Sequence, residues 1–235
     1  ELRTPLNGLL GFLDVLEDEE VSLEDKRQFT GIMRSSGDRL VNTIDNLIEV
    51  SMLDSGMSRI KKESFNLDDM IREVVQTNKL KYKNHGNDIE ILENEAADSH
   101  YIYTDKTKFR RLLLSLLDNA FKFTSQGTIQ VEVSKKDKNL IICIKDSGAG
   151  IPSNKLTAIF KPFEQADNSN TRGFEGNGVG LPLAQGLAKH LGGKITVESK
   201  VEDGSAFTLH LPRVFINPEE SRVQTEQKTP AADVK

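Results

Sequence analysis

The chain has 235 residues, room for one or two domains, and its 37% hydrophobic content is enough to build a core. A net charge of −5 and the lack of a basic, aromatic-rich patch argue against nucleic acid as the main partner. No run of about 18 apolar residues and no signal-peptide pattern occurs, so these residues do not span a membrane; a membrane or sensor segment upstream of Glu1 stays compatible with them.

Leu2, Leu6, Leu9, Leu13 and Leu16 recur at spacings of four and three, a heptad stripe on one helix face, with Pro5 tolerated in the first turn. Asp18-Glu19-Glu20 reads as a turn. Ser22 then caps a second helix, with Asp25 at its third position. That helix is predicted from about Leu23 to Asp54. Phe29, Met33, Ser36, Leu40, Thr43, Leu47, Val50 and Leu53 form its stripe, widened by Ile32, Ile44 and Ile48. Two antiparallel helices this amphipathic do not cover their own apolar faces. Pairing with a second copy into a dimeric four-helix bundle is the favoured solution, and packing against the rest of the chain is the alternative. Ser55-Gly56-Met57-Ser58 breaks the helix and marks a hinge.

From Phe65 the pattern changes. Leu67–Lys83 reads as a helix, Ile89–Leu92 and Tyr101–Thr104 as short strands, and Thr107–Thr124 as a strongly apolar helix. Thr128–Ser134 and Asn139–Lys145 come next as strands, the second holding Cys143, read as buried and reduced. As the sole cysteine it excludes a disulfide framework and fits a cytoplasmic setting. Leu181–Leu191 is a helix, and Lys194–Ser199 and Ser205–Leu211 form a last hairpin. Strands and helices mixed without strict alternation point to an α+β chain: the helical hairpin, then an α/β sandwich with a mixed sheet covered by helices on one face. The expected domains are 1–58, 59–213 and a disordered tail or linker over 214–235.

Two glycine clusters flank a polar segment. Asp146-Ser147-Gly148-Ala149-Gly150 opens the stretch and Gly176-Asn177-Gly178-Val179-Gly180-Leu181 closes it, with Phe160-Lys161-Pro162-Phe163 between. Glycine admits backbone N–H groups close to a phosphate, and the second cluster runs into a helix start, so the pair suggests a nucleotide pocket with a lid. Two tight turns are the plainer alternative. No strand directly precedes Gly176 and no Gly-Lys-Ser/Thr ending occurs after it, so neither the Rossmann nor the Walker pattern fits. On the apolar helix before them, Ser115, Asn119 and Lys122 share one face. Such a stripe is either a solvent-facing edge or a pocket wall in which Asn119 offers oxygen to Mg²⁺ and Lys122 meets phosphate.

Taken together, these segments resemble the sensor histidine kinases of two-component systems. Asn119-Ala120-Phe121-Lys122-Phe123-Thr124 resembles their N box, Asp146–Gly150 the G1 box, Phe160–Phe163 the F box and Gly176–Leu181 the G2 box. Gly204-Ser205-Ala206-Phe207 resembles the end of a further glycine box. Glu1-Leu2-Arg3-Thr4-Pro5-Leu6 is similar to the part of the H box directly after the phosphoacceptor histidine. The resemblance covers about residues 1–213. It implies an ATP-dependent protein-histidine kinase using Mg²⁺ and ATP, a homodimer that passes phosphate to a response-regulator receiver domain. It also implies that the chain is cytoplasmic or the cytoplasmic part of a membrane protein.

By resemblance, Asp146 accepts the adenine amine, Asn119 holds Mg²⁺, Lys122 contacts phosphate and Phe123 packs near the base. Arg172, in the lid-like Asp167-x-Ser169-x-Thr171-Arg172, meets the phosphates. Gly148, Gly150, Phe163, Gly176, Gly178, Val179, Gly180 and Leu181 line the nucleotide. Glu1 stands as a general base and Thr4 places a water for dephosphorylating the regulator. Three departures stand out. The acceptor histidine would directly precede Glu1, and His85, His100, His190 and His210 do not replace it, so residues 1–235 alone are not expected to phosphorylate themselves. Ser115 replaces a common Asn, and Glu202 stands where a glycine is frequent. Rival readings are a nucleotide-gated scaffold that binds ATP without transferring it, and an ATPase of the gyrase or mismatch-repair type, which needs an acidic residue at position 115 and is opposed by Ser115 and the heptad helices.

Overall fold

The computed structural model describes residues 3–16, 21–83, 88–93, 100–164 and 178–216. The chain divides into two compact units, Glu1–Met52 and Leu53–Lys235. The first holds α1 (Arg3–Leu16) and most of α2 (Leu23–Asp54), joined by a ring stack of Phe12 on Phe29 at 5.4 Å. Ser22 caps α2 as its sequence suggests: the Asp25 N–H donates to Ser22 Oγ at 3.1 Å, and that hydroxyl donates to the Asp25 carboxylate at 2.6 Å. Along α2 the stripe from Phe29 to Val50 is buried or half-buried, whereas Ile32, Ile44 and Ile48 stay exposed, as do Leu6, Leu10 and Leu13 on α1.

The second unit is built on a five-stranded sheet. Its strands are β2 (Asp88–Glu93), β4 (Gln126–Lys136), β5 (Asn139–Asp146), β7 (Gly204–Leu211) and β6 (Lys194–Lys200), side by side in that order. Only β2 and β4 run parallel, so the sheet is mixed as expected. Alternation puts Leu140, Ile142 and Ile144 of β5 and Phe207, Leu209 and Leu211 of β7 on the helix-covered face, all fully buried. The helices are α3 (Leu67–Tyr82), α4 (Lys106–Phe123) and α5 (Gly180–His190), with α4 packed between the other two. Arg110 pairs with Glu73 at 2.7 Å, and Tyr82 donates to Asp118 at 2.9 Å while stacking on Phe121 at 5.4 Å. Lys81 also pairs with Asp118.

Two features differ from the sequence reading. A second, three-stranded sheet is present, with β3 (Tyr101–Asp105) between β1 (Lys62–Asn66) and β8 (Phe215–Ile216). β1 is mostly polar and β8 is two residues long, so neither shows a period of two, and β8 carries pairing past Val214, where the tail was expected to begin. Cys143 is free but only part-buried: alternation turns it to the open face of the sheet, where Thr208 Oγ1 donates to its sulfur at 3.5 Å.

Glu202, the residue in place of a frequent glycine, sits at φ 67°, with its N–H donating to the Ala149 carbonyl at 2.9 Å. A left-handed backbone crowds any Cβ, at a cost of roughly 1–2 kcal/mol, part of which glycine gives back through its freer unfolded chain. Glu202→Gly is therefore expected to stabilise the protein by up to about 1 kcal/mol, read as a raised midpoint of thermal unfolding. A lowered midpoint would show that the carboxylate, not the turn, decides this position.

Candidate functional site

The candidate site is assembled where β5 ends, α4 ends and α5 begins. Asp146 is the last residue of β5 and is 7% exposed. The Gly148 N–H donates to its Oδ1 at 3.0 Å, and the Ser205 N–H also bonds to the carboxylate. No cation among the described residues pairs with it, and burial outweighs the two backbone donors, holding its carboxyl above the usual Asp range.

Glycine is a steric requirement on either side of this carboxylate. A Cβ on Gly148 would lie 2.2 Å from the Phe123 carbonyl oxygen, the end of α4. One on Gly204, at φ 87°, would lie 1.9 Å from the Asp146 carbonyl. These close approaches let the Ala149 N–H donate to the Phe123 carbonyl at 3.3 Å, binding the loop after β5 to α4. Gly150 rests in the same way against the Lys200 carbonyl of β6.

On α4, Ser115, Asn119 and Lys122 lie on a half-buried strip beside the fully buried Leu116, Leu117 and Ala120. The strip is therefore neither core nor free surface, as a pocket wall requires. Phe123 closes the helix at 41% exposure, with Lys122 Nζ 5.7 Å from its ring centre. Farther along, the Phe163 N–H donates to the Gly178 carbonyl at 2.9 Å, and both residues hold positive φ, 65° and 60°. This pinch brings the two ends of the predicted lid together. Val179 is buried, and α5 begins at Gly180 and Leu181 with no side chain capping its first N–H groups. Free N–H groups at a helix start, with open space beside Gly180, suit phosphate oxygens.

The donor set also bears on a metal. No group of three or more His, Cys, Asp or Glu among the described residues is placed to hold one. Asn119, half-buried on α4, carries a neutral side-chain oxygen, the donor type the sequence reading offers to Mg²⁺. Glu1, Arg172 and Gly176 lie outside the described residues, as does the lid segment around Arg172. Thr4 is placed as a backbone position in α1.

Serines passed over in the sequence shape the site. Ser199 Oγ accepts from the Ile151 N–H at 2.8 Å, donates to the Gly204 carbonyl at 2.8 Å and lies 3.0 Å from Ser205 Oγ. Ser147 Oγ accepts from the Thr128 N–H at 2.8 Å. Ile151 and Thr128 are distant in sequence from the serines they bond, so no local pattern marks those two contacts.

Residues 1–56 match the family described as His Kinase A (phospho-acceptor) domain, and residues 104–214 that described as histidine kinase-, DNA gyrase B-, and HSP90-like ATPase. The chain is 30% identical over 237 residues to the autoinducer 2 sensor kinase/phosphatase LuxQ of Vibrio cholerae, covering 99% of this chain and 27% of the relative. It is 33% identical over 231 residues to the sensor protein GacS of Pseudomonas syringae, covering 94% and 25%. The chain thus spans about a quarter of the length of these relatives. Among solved structures, the Acinetobacter baumannii histidine kinase AdeS superposes with a TM-score of 0.73 at 21% identity, covering 90% of this chain and 96% of that one. Histidine kinase ThkA, solved in complex with response regulator protein TrrA, gives 0.71 at 22%, covering 93% and 60%. At these identities the likeness is one of fold. No helix among the described residues is long and apolar enough to cross a membrane.

The raised Asp146 carboxyl has a consequence for stability. Above its ordinary value of 3.8 the folded chain keeps this proton longer than the unfolded chain, so stability falls as pH rises through that window. Asp146→Asn keeps an oxygen for the Gly148 N–H and removes the buried charge. The variant without nucleotide is expected to be more stable than wild type at neutral pH, with the gap closing as pH falls towards 3.8. Thermal unfolding at the two pH values checks this. A variant less stable at neutral pH would mean that the carboxylate is already satisfied in the empty site.

Proposed function

Because the chain belongs to the sensor histidine kinases, we propose that its second unit binds Mg-ATP and hands the γ-phosphoryl group to a histidine of the first domain, from which a response-regulator aspartate takes it. The ATPase family carries ATP binding, and the phosphoacceptor domain carries dimerisation. The observation that supports the reading most strongly is Asp146, a buried carboxylate with two backbone donors, no paired cation among the described residues and a glycine on either side. An adenine amine is a neutral donor that satisfies such a group without a counter-charge.

In this reading Asp146 fixes the base and Phe123 and Phe163 give it apolar cover. Lys122 and Arg172 neutralise phosphate charge. The backbone of Gly176, Gly178, Val179, Gly180 and Leu181 donates to phosphate oxygens at the start of α5, and Gly148 and Gly150 hold the loop beneath. Asn119 would hold Mg²⁺, which when bound would offset the negative charge of the phosphates. Phosphoryl transfer asks mainly for positioning and charge stabilisation, which these groups supply. Glu1 takes the proton of the acceptor histidine, and Thr4 places the water that later dephosphorylates the regulator.

Asp146→Asn exchanges one acceptor oxygen for a donor facing the adenine amine. Loss of a charge-assisted hydrogen bond costs roughly 1.5–3 kcal/mol, so affinity for Mg-ADP is expected to fall about tenfold to a hundredfold. Calorimetric titration measures it, and an unchanged affinity would remove Asp146 from the nucleotide site. In a chain carrying a histidine before Glu1, label from γ-phosphate is expected as an acid-labile, base-stable adduct that Asn119→Ala abolishes. A folded, ATP-binding chain of that kind that stays unlabelled would favour the scaffold reading.

The exposed Ile32, Ile44 and Ile48 with Leu6, Leu10 and Leu13 form an apolar surface that a second copy would cover. Light scattering is expected to give a dimer mass, weakened by Ile44→Glu with Ile48→Glu. A wild-type monomer at high concentration would count against the bundle.

A further inference from the structure

The segment after α2 is gripped by the second unit. Asp105 ends β3 and caps α4: its Oδ1 accepts from the Lys108 N–H at 3.0 Å. Its Oδ2 accepts from the Lys61 N–H at 2.8 Å, adding one rung before β1 and β3 begin to pair. Lys108 Nζ bonds that same oxygen at 3.3 Å and donates to the Arg59 carbonyl at 2.7 Å. The Asp105 side chain is 4% exposed and that of Lys108 16%. One ion pair thus holds two backbone groups of the connecting segment, on opposite sides of Ile60.

The arrangement is more than a helix cap. A cap needs one carboxylate oxygen and no lysine. Here the second oxygen and the ammonium are both spent on a segment more than forty residues earlier. Buried charges are retained when each has a defined partner, and partial burial leaves this pair less screened by salt than a surface pair. The Arg59 and Lys61 backbone becomes part of the second unit, so only Ser55-Gly56-Met57-Ser58 lies between α2 and the anchor, with Gly56 at φ 69°. Four residues reach at most about 14 Å fully extended, against roughly 25 Å for seven. The same helix that starts at this anchor ends at Asn119, Lys122 and Phe123.

We propose that Asp105 and Lys108 form a clasp that anchors the connecting segment to the start of α4, and that both are positioning residues for phosphoryl transfer. The transfer half of this proposal rests on the kinase reading; the clasp does not. The clasp shortens the free chain between the histidine-bearing helices and the nucleotide-bearing unit. Shorter free chain raises the effective concentration of one reacting group at the other.

Two variants test it. Lys108→Met removes the ammonium and leaves the cap. Asp105→Asn keeps a capping oxygen but turns a donor towards the Lys61 N–H. Each is expected to speed amide exchange at Lys61, and tryptic cleavage after Arg59 and Lys61, by about tenfold, as losing a charge-assisted hydrogen bond predicts. Lys108→Arg, which keeps a charged donor, is expected to restore much of the protection. Mg-ADP affinity should stay within about twofold of wild type while histidine labelling, in a chain that carries the acceptor, slows several-fold. Unchanged exchange and cleavage in both folded variants would overturn the clasp. A loosened segment with an unchanged labelling rate would overturn the positioning role. A wild-type chain unable to bind Mg-ADP would instead overturn the kinase reading, and exchange at Lys61 would still decide the clasp.

Discussion

The site depends on how tightly three backbone segments converge on Asp146. The loop after β5 passes the end of α4, and the start of β7 passes the end of β5, each closer than any Cβ allows. That contact buries a carboxylate and supplies it with two N–H donors, and no cation among the described residues pairs with it. A buried charge in this condition is held at a cost, which a ligand donor then recovers as affinity. In the proposed reading, recognition and instability are the same property: the acid that weakens the empty fold would discriminate the base.

Helix α4 converts that local arrangement into a position within the domain. Its inner face, with Leu112, Leu113, Leu116 and Leu117 nearly inaccessible, is fixed in the core. Its flank is tied to α3 through Arg110 to Glu73 and through Asp118 to Tyr82 and Lys81. Its last carbonyl receives the loop beyond Asp146, and its first turn grips the connecting segment through Asp105 and Lys108. A rigid element with both ends committed carries geometry from one to the other without moving parts.

Much of this was legible in the sequence because its causes are local. The stripe on α2 is the one the fold covers, and Ser22 with Asp25 caps it. The motif around Asp146 falls at a strand end, and Gly178 to Leu181 lead into a helix. The features that stayed hidden have distant causes. The sheet of β1, β3 and β8 is held by pairing across the chain, with a two-residue strand that no periodicity reveals. Cys143 looks like core because its neighbours are apolar, yet alternation turns it outward. The roles of Ser199 and Lys108 are set by backbone atoms at Ile151 and Arg59, which a reading of neighbours cannot reach. Glu202 is a middle case: the family pattern flagged the position, and its left-handed backbone supplies the physical reason.

The central claim is that a buried carboxylate reads the amine of adenine, and base discrimination tests it most directly. Inosine diphosphate carries a carbonyl where ADP carries the amine, with the phosphates unchanged. Calorimetric titration of the chain with each, in the presence of Mg²⁺, is predicted to show ADP binding at least about tenfold tighter, the change expected when acceptor faces acceptor. Equal affinities would mean that Asp146 does not face the base, and would contradict the account.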